Sequence, residues 1–331
     1  MRLFLNPQSA LLSAVLVFSS ATTTVVAADG AGGAKAAMAA SAQLLPGQVR
    51  YQTMDVGGAN VFYRESGRRS DPAIVLLHGY PSSSHMFRDL IPRLSDRYRV
   101  IAPDYPGFGR STGGPGYAYT FANYAKTIDA LLGQLRVERY ALYVMDYGAP
   151  VGFRIATAYP ERITGLIVQN ANAYDVGLVD SFWGPIKTYW ASGSQADREA
   201  IRWLTSFKAT QWQYSNGYPD PAVVSPDAAA HDQAGMDRPG NADLQLDVFY
   251  DYRTNVGEYP AQQAYFRKHQ PPTLIVWGKN DAIFPPVGAH AYLTDLPKAE
   301  LHLFDAGHFV LESHVAEVSQ LMRDFLGRVA R

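Results

Sequence analysis

The stretch Tyr140 to Ala158 reads YALYVMDYGAPVGFRIATA, and the rest of the chain is interpreted from it. Ala141 to Met145 is a continuous apolar run. Asp146 and Tyr147 follow, then the small residues Gly148 and Ala149, then a tract carrying Val151, Phe153 and Ile155. A short apolar run bounded by small residues is the pattern of a strand buried on both faces, and the tract after it has helical spacing. The unit is strand, sharp turn, helix, with an aspartate at its tip. A serine at such a tip would announce itself as G-x-S-x-G; that motif is absent, so the tip points to carboxylate chemistry.

The same rhythm continues on both sides. Upstream, Val49 to Val56 and Ala59 to Glu65 alternate around Gly57 and Gly58, as an edge hairpin would. Ala73 to Leu77 is a second buried strand, running into His78, Gly79, Tyr80 and Pro81. Ser82 to Ser84 can then cap a helix expected over Met86 to Leu94, and Arg99 to Ala102 is a short strand entering the turn-rich DYPGFGRS, Asp104 to Ser111. Downstream, Phe121 to Leu135 is amphipathic with period 3.6, and Ile163 to Val168 is the next buried strand. Residues 171–270 break the rhythm: aromatic residues crowd short pieces separated by proline and glycine, as in a mainly helical cap inserted between two strands. The pattern resumes with Thr273 to Trp277, a helix around Ala289 to Leu296, a strand at Glu300 to Phe304, His308, and a closing helix over Ala316 to Val329. Such alternation predicts an α/β fold: a mostly parallel, doubly wound sheet built from residues 49–170 and 271–331, with a ligand site beyond the carboxyl ends of its strands.

Composition narrows the function. The chain has 331 residues, 47% of them hydrophobic, enough for a substantial core. A formal net charge of -1, without basic stripes, gives no footprint for nucleic acid or an anionic membrane, so the expected partners are a small apolar organic molecule and water. The chain has 0 cysteines, which excludes disulfides, thiol catalysis and a lipoprotein anchor, and its 8 histidines show no metal-ligand spacing; no metal or cofactor is expected. Arg2, the apolar Leu11 to Phe18 and a small-residue tract ending Val25, Val26, Ala27, Ala28 have the form of a secretory signal peptide over residues 1–28, cleaved before Asp29. That predicts a periplasmic or secreted protein, free of the membrane after cleavage, with residues 29–48 as a disordered lead-in.

Five pieces occur in one order: HGYP at His78 to Pro81, DYPGFGRS at Asp104 to Ser111, MDYGAP at Met145 to Pro150, WGKND at Trp277 to Asp281 and AGHF at Ala306 to Phe309. In this the chain resembles the α/β-hydrolase superfamily, and within it the branch with an aspartate nucleophile that contains epoxide hydrolases and haloalkane dehalogenases. A carboxylate is a weak nucleophile toward carbonyls but can displace a leaving group at saturated carbon, giving an alkyl ester that water must then cleave. Asp146 is the expected nucleophile and His308 the base for that water. Asp281 is the expected partner of the imidazole, ahead of Asp175 and Asp305. The resemblance implies an oxyanion hole from the N–H groups of Tyr80 and Tyr147, a cis Tyr80 to Pro81 bond, and a structural role for His78 beneath that turn.

Leaving-group assistance separates the two activities. Epoxide opening calls for acidic hydroxyls, which the resemblance assigns to two cap tyrosines. Tyr252 in DYRTN matches the second, whereas Ile186 holds the position of the first and leaves Tyr189, one turn along, as a substitute. Halide departure calls for N–H donors. Tyr147 and Tyr80 hold positions where dehalogenases carry tryptophan and asparagine, so Trp183, Trp190 or Trp212 would have to supply an indole from the cap. An epoxide hydrolase is therefore expected ahead of a haloalkane dehalogenase, with an ester or lactone hydrolase third and a noncatalytic ligand-binding protein last.

Overall fold

The computed structural model describes residues 47–329. The expected signal peptide, and the lead-in as far as residue 46, lie outside the described residues. The last two lead-in positions are tied to the body: the Gly47 N–H donates to Ser95 Oγ at 3.0 Å, and the Gln48 carbonyl accepts from Ser66 Oγ at 2.6 Å.

Among the described residues nine strands form one sheet: β1 (Arg50–Val56), β2 (Ala59–Ser66), β3 (Ala73–Leu77), β4 (Arg99–Pro103), β5 (Thr112–Gly113), β6 (Tyr140–Met145), β7 (Ile163–Gln169), β8 (Thr273–Gly278) and β9 (Glu300–Phe304). Their order is β1-β2-β4-β3-β6-β7-β8-β9, with β5 beside β2. The pairs β1 with β2, β2 with β4 and β2 with β5 are antiparallel, and every junction from β4 to β9 is parallel. Every residue of β3, β6 and β8 is buried, as strands covered on both faces must be. Alternate residues divide between two cores: Val75, Leu77, Leu142, Val144 and Ile275 on one face, Ile74, Leu76, Ala141, Tyr143 and Val276 on the other. From β3 the chain crosses to β4 on one side and returns to β6 on the other. This reversal opens a crevice at the strand ends, and the HGYP turn and the Asp146 turn both enter it.

The helices are α1 (Ile91–Leu94), α2 (Phe121–Gln134), α3 (Gly148–Ala158), α4 (Asp180–Ser192), α5 (Gln195–Ala200), α6 (Phe207–Ser215), α7 (Pro226–Met236), α8 (Asn241–Asp251), α9 (Arg253–His269), α10 (Pro286–Asp295) and α11 (Leu311–Val329). Helices α4 to α9 lie between β7 and β8 and make the inserted cap. Two expectations are corrected. Met86 to Leu94 is not one helix: a 3-10 turn, Ser84–Phe87, precedes the single turn α1. Successive bonds from Arg88 to His85, Leu90 to Phe87 and Arg93 to Leu90 keep the backbone in three-residue steps, and Pro92 has no N–H to donate. The closing helix begins at Leu311 and is kinked at His314, where φ is -122°.

Side chains and backbone fasten the cap to the sheet ends. Tyr80 Oη donates to the Leu204 carbonyl at 2.9 Å, Trp183 Nε1 to Ile283 O at 2.9 Å and Tyr218 Oη to Phe309 O at 2.5 Å. Between α6 and α7, the cap loop at Asn216, Gly217 and Tyr218 lies directly on the loops that carry Asp281 and His308. Gly217 has φ of 85°, and a Cβ on it would fall 2.6 Å from the Asn280 carbonyl oxygen; a Cβ on Gly307 would overlap the Asn216 carbonyl. Only glycine permits this backbone-on-backbone contact, which Asn280 Nδ2 closes with a 2.7 Å bond to Gly217 O.

Candidate active site

Asp146 follows β6 with φ of 50°, a left-handed conformation that costs a residue with a Cβ and is held by its surroundings. The Asp146 N–H donates to the Asn170 carbonyl at 3.3 Å, and Tyr147 leads straight into α3. Gly79 makes room: a Cβ there would overlap the Asp146 side chain. The Tyr80 N–H at 2.7 Å and the Tyr147 N–H at 2.5 Å both donate to Asp146 Oδ1. The Tyr80 to Pro81 bond is cis, as the resemblance implies.

The other carboxylate oxygen faces the histidine loop, with Asp146 Oδ2 3.8 Å from His308 Nε2. That nitrogen is buried and has no hydrogen-bond partner, while Nδ1 lies 2.7 Å from Asp281 Oδ2. A carboxylate can only accept, so Nδ1 carries the proton and Nε2 is the basic atom of the neutral ring. Asp281 is held in turn by the Ile283 N–H at 2.8 Å and by Asn170 Nδ2 at 2.7 Å. The rival acids lie elsewhere: Asp175 is exposed, and Asp305 pairs with Lys279 at 3.3 Å and Asn280 at 2.8 Å. His78 sits under the HGYP turn between the Gly79 carbonyl, 2.9 Å from Nδ1, and the Tyr105 N–H, 3.1 Å from Nε2. Both ring nitrogens are occupied by backbone, as a structural role requires.

Burial sets the charges. It pushes the Asp146 carboxyl up to about 6, against the pull of His308 and of the two backbone N–H groups. Burial also opposes a charge on His308, but the Asp281 carboxylate outweighs it by charge and hydrogen bond, with Asp146 adding to the effect, so the imidazole is more basic than an ordinary histidine. The Asp146 carboxylate and the His308 imidazole thus face each other across 3.8 Å.

Above Asp146 the cap supplies rings. Tyr252 is 1% exposed and stacks on Trp190 at 5.6 Å, with Trp183 at 4.8 Å, Phe121 at 5.4 Å and Tyr147 at 5.7 Å. Phe249 lies 4.8 Å from Tyr80, and Phe284 lies 5.8 Å from His308. Trp183 thus joins the lining, but its N–H belongs to Ile283. Trp190 Nε1 donates to Phe249 O at 2.7 Å, Trp277 Nε1 to Phe284 O at 2.8 Å, Trp203 is exposed, and Trp212 stacks on Phe182 and lines a groove with Lys208, Pro221 and Pro226. Tyr189 is not brought to Tyr252. It packs on Tyr250 at 4.9 Å, close to Arg198.

Asn170 is the residue that motif reading missed. Its backbone carbonyl holds Asp146, its Nδ2 holds Asp281, and its Oδ1 accepts the Gly278 N–H at 3.0 Å, joining the ends of β6, β7 and β8. The available signal was the polar run Gln169, Asn170, Asn172 at the carboxyl end of a buried strand.

A family model described as alpha/beta hydrolase fold matches residues 72–315. The chain belongs to the α/β-hydrolase family. An uncharacterized hydrolase of Saccharomyces cerevisiae is 44% identical over 267 residues, covering 80% of this chain and 92% of that one. A cis-3-alkyl-4-alkyloxetan-2-one decarboxylase of Shewanella oneidensis is 30% identical over 269 residues, covering 76% and 81%. Among solved structures, a haloalkane dehalogenase from Bradyrhizobium elkani superposes with a TM-score of 0.70 at 22% identity, over 85% of this chain and 99% of that one. An epoxide hydrolase does so with 0.69 at 22%, again over 85% and 99%. This α/β-hydrolase is an enzyme.

Proposed function

We propose that this α/β-hydrolase opens small apolar epoxides through an alkyl ester on Asp146. The observation that carries the reading is the set of donors around the carboxylate. A buried hydroxyl, Tyr252, stands in the ring cage above it, whereas the indoles of Trp183 and Trp190 are spent on backbone carbonyls. A departing alkoxide needs a proton; a departing halide needs N–H donors.

In this reading Asp146 attacks a ring carbon, the carbon–oxygen bond of the epoxide breaks, and the alkoxide takes the Tyr252 proton. The ester carbonyl oxygen rests on the Tyr80 and Tyr147 N–H groups, which stabilise the oxyanion when water adds. His308 takes the proton from that water, and Asp281 stabilises the imidazolium. The apolar lining of Phe249, Phe284 and Trp183 favours a substrate with little polarity beyond its ring oxygen. A second reading, a strained lactone, draws on the Shewanella oneidensis relative, whose named substrate is a four-membered oxetanone. A haloalkane remains the alternative with fewer donors in its favour.

The test is intact mass on His308→Gln after incubation with 1,2-epoxyhexane and, separately, with 1-bromohexane. Losing the base leaves ester formation possible and blocks its hydrolysis, so the intermediate accumulates. A gain equal to the whole epoxide, mapped to Asp146 and abolished in Asp146→Ala, is the expected result. A gain equal to the hexyl group from the bromide, with none from the epoxide, would replace this reading with dehalogenation. No adduct from either would turn attention to lactones.

A further inference from the structure

His308 stands on the loop after β9, and the sheet offers that loop few ties. Nδ1 is bonded to Asp281, and the His308 carbonyl accepts from Gln169 Nε2 at 3.4 Å, longer than an ordinary hydrogen bond. Firmer contacts come from the cap, and they fall on the next residue, Phe309, the last member of AGHF. Tyr218, in the loop between α6 and α7, donates its hydroxyl to the Phe309 carbonyl at 2.5 Å; a carbonyl only accepts, so the direction of this bond is fixed. Tyr214, on α6, lays its ring flat on that of Phe309, with centroids 4.0 Å apart and planes 2° from parallel. The Phe309 ring in turn meets the His308 ring edge-on at 5.0 Å. Both tyrosines are buried, and the cap loop at Asn216 lies against Gly307, the residue before His308. The cap thus grips the loop on either side of His308, at Gly307 by backbone contact and at Phe309 by carbonyl and ring.

Asp146 has no such dependence. Its carboxylate is held by the Tyr80 and Tyr147 N–H groups and its own N–H by the Asn170 carbonyl, all on turns at the strand ends. Of the two groups that face each other across 3.8 Å, one is set by the sheet and the other jointly by Asp281 and the cap.

We propose that Tyr218 is a positioning residue for His308: by holding the Phe309 carbonyl, the cap sets Nε2 where the hydrolytic water must lose its proton. The inference rests on the reading of His308 as the base that cleaves an Asp146 ester. In that step the water oxygen bonds to the ester carbonyl carbon, its proton passes to Nε2, and the carbonyl electron pair moves onto the oxygen held by the Tyr80 and Tyr147 N–H groups. The bond to the alkyl oxygen then breaks, that oxygen leaves with the proton of the imidazolium, and the regenerated carboxyl releases its own proton. Ester formation, by contrast, makes no demand on Nε2. Tyr218 remains a donor throughout, because burial holds its hydroxyl above the ordinary phenol range and the Glu312 and Asp281 carboxylates act in the same direction.

Two measurements on Tyr218→Phe test the grip. In proton and nitrogen NMR of histidine-labelled protein, assigned with His308→Gln, the wild type is expected to show a low-field Nδ1 proton bonded to Asp281 and a His308 pKa above the ordinary value. In Tyr218→Phe the proton signal should broaden or move upfield, and the pKa should fall. In rapid-quench kinetics with 1,2-epoxyhexane, the variant is expected to hydrolyse its ester about 10-fold more slowly and to form it at the wild-type rate. Phe309→Leu leaves the Tyr218 bond but removes the ring that Tyr214 holds; it is expected to act in the same direction and carries the test if melting curves show that Tyr218→Phe does not fold. An unchanged His308 spectrum in folded Tyr218→Phe would overturn the positioning role. Equal slowing of both steps would also overturn it, as a general loosening. The NMR arm needs no substrate: a wild-type enzyme that forms no ester from 1,2-epoxyhexane would sink the proposed function, while the His308 spectra would still decide whether the cap holds the imidazole.

Discussion

Asp146 meets two opposing demands at the scale of the single residue. It must be ionised to attack, yet it sits in a pocket that raises its pKa to about 6. Below that value the nucleophile is protonated, so kcat/KM for ester formation should fall about ten-fold per pH unit beneath pH 6 and level off above it. A profile still flat at pH 5 would contradict that burial effect. Asn170 offers a second test: Asn170→Leu removes one of the donors on Asp281, and with a poorly held acid His308 is a poorer base. Ester hydrolysis should slow by roughly 10-fold or more while ester formation changes little. That Asp146, Asp281 and His308 would converge was legible in the sequence because each follows a strand and carries its own motif. Asn170 has no motif, since an amide gains its role only from what the fold sets beside it. Tyr189 was misjudged for a geometric reason. It shares a helix face with Ile186, but three residues advance about 4.5 Å along the axis, enough to leave the cage and meet Arg198 and Tyr250.

At the scale of elements, α7 acts as a fastener. Its Asp232 is buried and accepts from Ser83 Oγ at 2.9 Å, just past the HGYP turn, and from Tyr214 Oη at 2.5 Å on α6. Burial pushes this carboxyl up to about 7, although the Tyr214 and Ser83 bonds pull the other way. Because the folded pKa lies above the unfolded one, the stabilisation is complete below about pH 4 and is lost as pH rises to about 7. The group contributes on the order of 4 kcal/mol across that window. Asp232→Asn should therefore flatten the dependence of melting temperature on pH between 4 and 7, relative to wild type. Asp146, also raised, tilts both curves in the same direction and cancels in the comparison. Parallel curves for the two proteins would refute the assignment. Strands were read correctly from runs such as AIVLL because a doubly covered strand has few alternative sequences. The segment over Met86 to Leu94 was not, since apolar spacing does not distinguish three residues per turn from 3.6 when both hide the same side chains.

Across the whole molecule, the cap is held at several separated points: Tyr80 to Leu204, Trp183 to Ile283, Ser83 to Asp232, Arg154 Nη1 to Asn255 Oδ1 at 2.7 Å, and the Phe121 N–H to Asp251 Oδ2 at 2.8 Å. Residues 47–329 should therefore unfold in one transition, with far-UV and near-UV circular dichroism coincident in urea; a separate early loss of the near-UV signal would reveal an independently melting cap. The sequence disclosed that a cap exists, through its aromatic crowding and broken rhythm, but not which of its faces would meet Asp146, because ring orientation depends on contacts far apart in the chain. The glycine contact between the cap loop and the triad loops carries a further implication for traffic. A cover pinned backbone to backbone beside His308 does not swing open like a door. Molecules then enter and leave by threading between rings, and which substrates the enzyme accepts depends on the width of that passage as much as on the fit at its end.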